Sequence, residues 1–192
     1  MTEPSPSSRT ALHASAVREL QAWSAPDGRQ EALRTDYLRH LAQYPEATAK
    51  SGPPEHLTAS CLVIDPAGTH VLLTLHGKAR RWFQFGGHLE QGEASLGAAA
   101  AREVREESGL PPGRVHVLPG VVQLDRHELD PAFGRCRAHL DVRFAGVAPR
   151  SARPVVSAES LDVAWWPVDG LPPGSEELGP LIAAVRARIA AG

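Results

Sequence analysis

Cysteine is scarce in this sequence: Cys61 and Cys136 are the only two, and they lie far apart. They are read as belonging to no CxxC or CxxH pair, so neither a zinc cluster nor a disulfide framework is expected. Both should be free thiols. A basic excess is missing too. Twenty Lys and Arg stand against 22 Asp and Glu, a formal charge of −2, which leaves no field to draw in polymeric DNA or RNA by counterion release. No apolar run approaches membrane-spanning length. The polar start, Met1-Thr-Glu-Pro-Ser-Pro-Ser-Ser, lacks the apolar core of a signal peptide, so a soluble, cytoplasmic protein is expected. Aromatics make up only 5% of residues while Gly and Pro number 17 each, a balance that suits a loop-rich α/β domain better than a helical bundle.

What the chain does have is periodicity and clear punctuation. Residues 1–10 are rich in Pro and Ser and are expected to be disordered. From Ala11 to about Tyr44 the pattern is helical, with one stripe at Leu12, Ala16, Leu20 and Trp23 and another at Leu33, Tyr37, Leu38 and Leu41. Pro26-Asp27-Gly28 breaks the two, which predicts a helical hairpin. Strands are expected at Thr58–Ile64, Val71–Leu75, Trp82–Phe85, Val115–Leu124, His139–Val147 and Leu161–Pro167. A helix should span Ala94–Ser108. Another should span Ser175–Ala190, restarting at Gly179-Pro180, with Leu178, Leu181, Ile182, Val185 and Ile189 on its apolar face. Strands in pairs around a central helix imply a mixed sheet with helices on both faces.

The chemistry concentrates in one stretch. Glu103, Glu106 and Glu107 stand at i, i+3 and i+4, so a helix puts three carboxylates on one face, the outer two about 6 Å apart along the axis. Like charges so spaced destabilise a helix and ask for a cation. Arg102 and Arg105 can supply part of it, and an oxygen-only donor set suits a hard divalent ion such as Mg²⁺ or Mn²⁺. A second flank, Gly97, Ala98, Ala101 and Val104, is small and apolar and can press closely on a sheet. Gly109 sits where a left-handed residue ends a helix. Upstream, Gly86-Gly87 lets backbone approach a metal or phosphate closely. The competing reading of any such charge run is a solvated helix surface.

From Gly87 through Glu93 and on through Arg102-Glu103-Val104-Arg105-Glu106-Glu107-Ser108-Gly109-Leu110, the chain resembles the Nudix box. One residue too many separates Glu93 from Arg102. The resemblance implies the Nudix fold, α/β with a mixed sheet in an α/β/α sandwich, preceded here by a helical extension. On that basis residues 11–56 are assigned to the extension and 57–192 to the Nudix domain. It further implies Mg²⁺, with Mn²⁺ as substitute, held by Glu103, Glu106, Glu107 and the Gly86 carbonyl, and Arg102 pairing with Glu93 or Glu103. The implied reaction is hydrolysis of a phosphoanhydride bond in a small nucleotide-like diphosphate by water attack on phosphorus. An isoprenoid-diphosphate isomerase and a non-catalytic nucleotide-sensing domain are the alternatives, and monomer and homodimer stay equally open.

Outside the box, Glu159 is the candidate general base, weighed against an ordinary loop glutamate. His139, Asp141 and Arg143 alternate along a strand and project to one face, lining a pocket or facing water. His88 could touch phosphate or simply brace its loop. Lys78, Arg80 and Arg81 could meet substrate phosphates or form a solvated basic loop. Of Trp165 and Trp166, one is expected in the core and the other is free to stack on a base.

Overall fold

The computed structural model describes residues 6–129, 134–156 and 160–191, with side chains from residue 11 onward. Helices α1 (Pro6–Ala22) and α2 (Gly28–Gln43) form the expected hairpin, α1 starting ahead of Ala11. Asp27 caps α2 by accepting from the Gln30 N–H at 2.8 Å. Eight strands come next: β1 (Glu55–Ile64), β2 (His70–His76), β3 (Trp82–Phe83), β4 (Phe85–His88), β5 (His116–Val117), β6 (Gln123–Glu128), β7 (Ala138–Val147) and β8 (Ser160–Pro167). Helix α3 (Leu96–Ser108) lies between β4 and β5, and α4 (Gly179–Ala190) closes the chain after a 3-10 turn at Glu176–Leu178. Among the described residues no helix is long and apolar enough to cross a membrane.

The strands make one mixed sheet. β1 runs parallel to β7 in unbroken register, from Glu55 opposite Ala138 to Ile64 opposite Val147. Its other edge is shared, β2 pairing at the Ile64 end and β4 at the Thr58 end. β2 continues to β3 and β8, and β7 to β5 and β6. Alternation along the two central strands then makes two cores. Leu57, Ala59, Cys61 and Val63 of β1, with Leu140, Val142 and Phe144 of β7, pack towards α1 and α3. Leu62, Ile64 and Ala145 pack on the opposite face against Leu181, Ile182 and Val185 of α4.

Several boundaries differ from expectation for identifiable reasons. The Trp82–Phe85 run divides at Gln84 because its halves serve different partners, β2 and β1. The Val115–Leu124 run breaks at Pro119-Gly120, where Gly120 takes φ 92. The buried flank of α3 is Leu96, Ala99, Ala100 and Val104, so the stripe lies a step round from Gly97, Ala98 and Ala101. The N-terminal hairpin shares its core with the sheet: Leu12, Ala16, Leu20, Tyr37 and Leu41 belong to the same buried cluster as α3. β1, moreover, begins at Glu55, inside the stretch assigned to the extension.

The hairpin also anchors α3 and β6. Glu19 of α1 accepts from the Leu96 N–H at 3.0 Å, meeting an otherwise unpaired donor at the start of α3. Gln30 of α2 bonds both the N–H and the carbonyl of Leu124, covering the free edge of β6.

Candidate active site

The α4 face of the sheet is apolar only along half its strands. On β1 it reads His56, Thr58, Ser60, then Leu62 and Ile64; on β7, His139, Asp141, Arg143, then Ala145 and Val147. α4 covers the apolar half, and the polar half is the floor of a cleft of about 570 Å³. The cleft's walls come from β2 and β3, from β6, and from Gly86, Gly87 and Glu107.

The glycine loop and α3 are tied together by one guanidinium. Arg102 donates to Glu93 at 2.8 Å, Glu103 at 2.9 Å, Glu106 at 2.8 Å and the His88 carbonyl at 2.9 Å. Burial pulls its pKa down, but the bonds it donates to Glu93 and Glu106 outweigh that and its proton is held more tightly than usual. The extra residue between Glu93 and Arg102 therefore does not part them. Glu93 also accepts from the Glu90 N–H at 2.7 Å, closing the loop on itself. Burial raises the pKa of Glu103, and the nearby Arg102 only partly offsets it.

Gly86 is needed where it packs on β1, and Gly87 leaves room for the Glu103 carboxylate. A Cβ on Gly86 would fall 2.3 Å from the Ser60 Cβ, and one on Gly87 would fall 2.6 Å from a Glu103 oxygen. Glu107 is buried and accepts from the Gly86 N–H at 3.1 Å. Gly109 ends α3 with φ 61, its N–H bonded to the Arg105 carbonyl. Of the three helix glutamates, Glu107 lines the cleft, while Glu103 and Glu106 are turned to Arg102.

Asp141 and Arg143 anchor a hydrogen-bond network on the cleft floor. Asp141 accepts from Ser60 at 2.7 Å, Thr58 at 3.0 Å and Arg143 at 3.0 Å. Arg143 also reaches Gln123 at 2.8 Å and Asp125 at 2.9 Å. Asp141 thus organises the floor with its carboxylate already engaged, which fits a bracing role better than direct substrate contact. Arg81 lies on the wall, bonded to the Gly174 carbonyl at 2.7 Å, ion-paired to Glu177 and stacked over Phe83. Neither Trp165 nor Trp166 lines the cleft: each packs into one of the two cores, Trp166 edge-on to Trp82. Glu159 lies outside the described residues.

A row of imidazoles crosses the polar half of the sheet, with His139 and His127 lining the cleft. His88, His56, His139 and His127 sit on neighbouring strands β4, β1, β7 and β6, each ring within 5.3 Å of the next. Burial, with repulsion from Lys50 and the neighbouring imidazoles in their protonated forms adding, lowers the pKa of His88 to about 4 and of His139 to about 3, so both are neutral near pH 7. Cys136 completes the group, its sulfur 3.9 Å from His56 Nε2. The expectation that neither cysteine belongs to a ligand-type spacing fails here, since Cys136-Arg137-Ala138-His139 is a Cys-x-x-His step. That spacing was the available signal, and His56 carried none because only strand pairing brings it in. Cys61, by contrast, is fully buried, and burial pushes its thiol pKa up.

A family model for the NUDIX domain matches residues 54–185. No curated protein sequence matches the chain. Among solved structures, an Ap4A hydrolase from C. elegans is similar with a TM-score of 0.58 and 17% identity, over 71% of this chain and 98% of that one. A dihydroneopterin triphosphate pyrophosphohydrolase from E. coli gives 0.55 and 17%, over 71% and 96%. A NUDIX-family hydrolase from Clostridium perfringens gives 0.52 and 20%, over 71% and 98%. At these identities the structures speak for the fold.

Proposed function

The chain belongs to the NUDIX family of pyrophosphohydrolases, and from that premise we propose that it is a Mg²⁺-dependent hydrolase of a nucleoside triphosphate or nucleoside diphosphate derivative, with Mn²⁺ as a substitute ion. The supporting observation is the Arg102 hub, which joins Glu93, Glu103 and Glu106 to the glycine loop beside Glu107.

The donors fit a hard divalent ion. They are all oxygens, and the missing Cβ at Gly87 lets the Glu103 carboxylate lie directly against the backbone of the loop. Glu103, Glu106, Glu107 and the Gly86 carbonyl would hold it. Such an ion neutralises charge on the anhydride oxygens and makes water a usable nucleophile near neutral pH.

The protein's own groups supply position. Arg102 fixes the loop against α3, so the carboxylates do not have to reorganise as substrate enters. Phe83 and Arg81 offer a flat face and a positive charge on one wall, suited to a base or sugar and an outer phosphate. The Gln84 side-chain oxygen is buried on the lining without a hydrogen bond, an acceptor suited to a substrate donor. Glu159 is the candidate to take the proton from attacking water.

The test is phosphate and pyrophosphate release from nucleoside triphosphates, nucleotide sugars, dinucleotides and isoprenoid diphosphates, with Mg²⁺ or Mn²⁺ and an EDTA control. Metal-dependent release from the nucleotide classes is expected. Silence across the panel from folded, Mg²⁺-binding protein would overturn the hydrolytic reading. Glu159→Gln should slow turnover, though less than loss of a helix carboxylate, and full activity in that variant would move the base to α3.

A further inference from the structure

We infer that His56, His88, His139 and Cys136 form a second metal site, for a borderline divalent ion of the Zn²⁺ type, separate from the carboxylates of α3. One donor atom from each of the four residues lies within 4.8 Å of all the others. That is looser than a bound tetrahedral site, and small rotations of side chains would close it on an ion. Three imidazoles and one thiol are the ligands that Zn²⁺ prefers and Mg²⁺ does not.

Hydrogen bonding indicates which ring nitrogens would face an ion. His56 Nδ1 lies 3.0 Å from the Pro53 carbonyl, which can only accept, so Nδ1 carries the proton and Nε2 presents its lone pair. A ligating histidine whose other nitrogen is fixed by a carbonyl is the usual arrangement around a metal. Among the described residues, the Nε2 atoms of His88 and His139 are buried with no hydrogen-bond partner. A buried nitrogen without a partner is destabilising, and an ion at the centre of the cluster would satisfy both at once.

The fold explains how the four meet. His56 and His139 are directly opposite in the parallel β1–β7 pair, while His88 sits opposite Thr58 across the β1–β4 pair. Cys136 precedes β7, held there by the bond from the Arg137 N–H to the Pro54 carbonyl at 2.8 Å. With four protein ligands the shell is closed, which is the mark of a structural ion rather than a catalytic one. It would clamp the segment before β7 to the strand that carries Gly86 and Gly87. Binding deprotonates Cys136, the proton passing to solvent. Occupancy of this site does not depend on hydrolysis at the other.

Co²⁺ replacing Zn²⁺ is the probe. Full-length protein, stripped with chelator and desalted, is titrated with Co²⁺ in excess Mg²⁺ and followed by absorption. The expected result is one Co²⁺ per chain with intense tetrahedral visible bands and a near-ultraviolet thiolate charge-transfer band, both lost on adding Zn²⁺. Cys136→Ser should abolish the charge-transfer band and weaken binding by more than about tenfold, the lower bound for losing even a ligand's orienting partner. Glu107→Gln should leave the spectrum intact. Weak octahedral bands alone, a spectrum indifferent to Cys136→Ser, or one erased by Glu107→Gln would overturn the site. Alkylation of the wild-type thiol gives a check without any variant: Zn²⁺, and not Mg²⁺, should slow modification of Cys136. Equal rates would also overturn it.

Discussion

The two ends of the cleft handle unsatisfied donors in opposite ways. At the glycine-loop end the donors are anionic, and a cation is built in: Arg102 meets Glu93, Glu103 and Glu106 within 2.9 Å. At the imidazole end His88 and His139 are neutral near pH 7, and their Nε2 atoms have no hydrogen-bond partner among the described residues. Carboxylates that converge without a counter-charge repel one another, so this cluster folds around a guanidinium. Neutral imidazoles and a thiol do not repel and can be assembled empty, at the expense of unmet lone pairs. A mobile ion should therefore tune activity at one end and stability at the other.

The largest effect should come from Glu107→Gln. The amide keeps the volume and can still accept from the Gly86 N–H, so the fold should survive. If Glu107 holds the proposed ion, what is lost is a charge on a group worth several kcal/mol to the transition state, which at 1.36 kcal/mol per decade is about 10²–10⁴ in turnover. An unchanged steady-state rate from folded protein would remove α3 from the chemistry.

Arg102→Ala comes next. It strands Glu93 and Glu103, whose side chains are only 11% and 12% exposed, while Glu106 at 57% can relax into water. Breaking a buried pair costs about 3–5 kcal/mol, and the exposed partner argues for the lower end. Thermal unfolding in EDTA should show the full loss. Mg²⁺ should restore part of it, because the ion replaces the missing cation. A deficit indifferent to Mg²⁺ would mean that Arg102 and the ion do not share these carboxylates.

The two ends also differ in how far they could be read from sequence. The anionic end is written in one continuous stretch, Gly86 to Leu110, where helical spacing alone puts Glu103, Glu106 and Glu107 together. Even its oddity, the extra residue before Arg102, is absorbed without separating Arg102 from Glu93. The imidazole end comes from three distant segments joined only by strand register, and register is not local information. His88 and His139 were visible singly as polar residues near the loop and strand, but nothing in the order of residues placed His56 between them. The same limit governs the Trp82–Phe85 run, which reads as one strand until its two halves find different partners. Helix stripes fared better, since Leu12, Ala16, Leu20, Tyr37 and Leu41 are buried as their spacing requires.

Between the two ends lies Asp125, an anion already matched as at the glycine-loop end. The bond from His127 at 3.2 Å, reinforced by Arg143 at 2.9 Å and opposed by burial, holds its pKa below the usual 3.8. A carboxyl depressed in the folded state contributes stability that is present above its unfolded pKa and is lost as pH falls through the folded value. Asp125→Asn should therefore lower the melting temperature above about pH 4 by about 2–4 °C, corresponding to about 1 kcal/mol. Below the folded pKa the gap should close. A gap independent of pH would make Asp125 a packing residue and leave the strip between the ends without an electrostatic role.

The smallest effect is expected from His127→Gln, which tests where the imidazole end stops. His127 continues the row, its ring 5.2 Å from His139 and nearly perpendicular to it. Its Nδ1, however, is engaged by Asp125, and its side chain is 43% exposed, so it neither shares the buried environment of the other three nor joins their converging donors. Co²⁺ affinity should change by less than about tenfold, below the 10–100-fold that accompanies loss of a ligand's orienting partner. The charge-transfer band should keep its position, since the sulfur ligand is untouched. A hundredfold loss with that band intact would put His127 in the shell, and one of the other imidazoles would have to leave it. The imidazole end would then extend to β6, directly against Asp125, and the neutral and anionic parts of the cleft would meet at a shared histidine rather than remain apart.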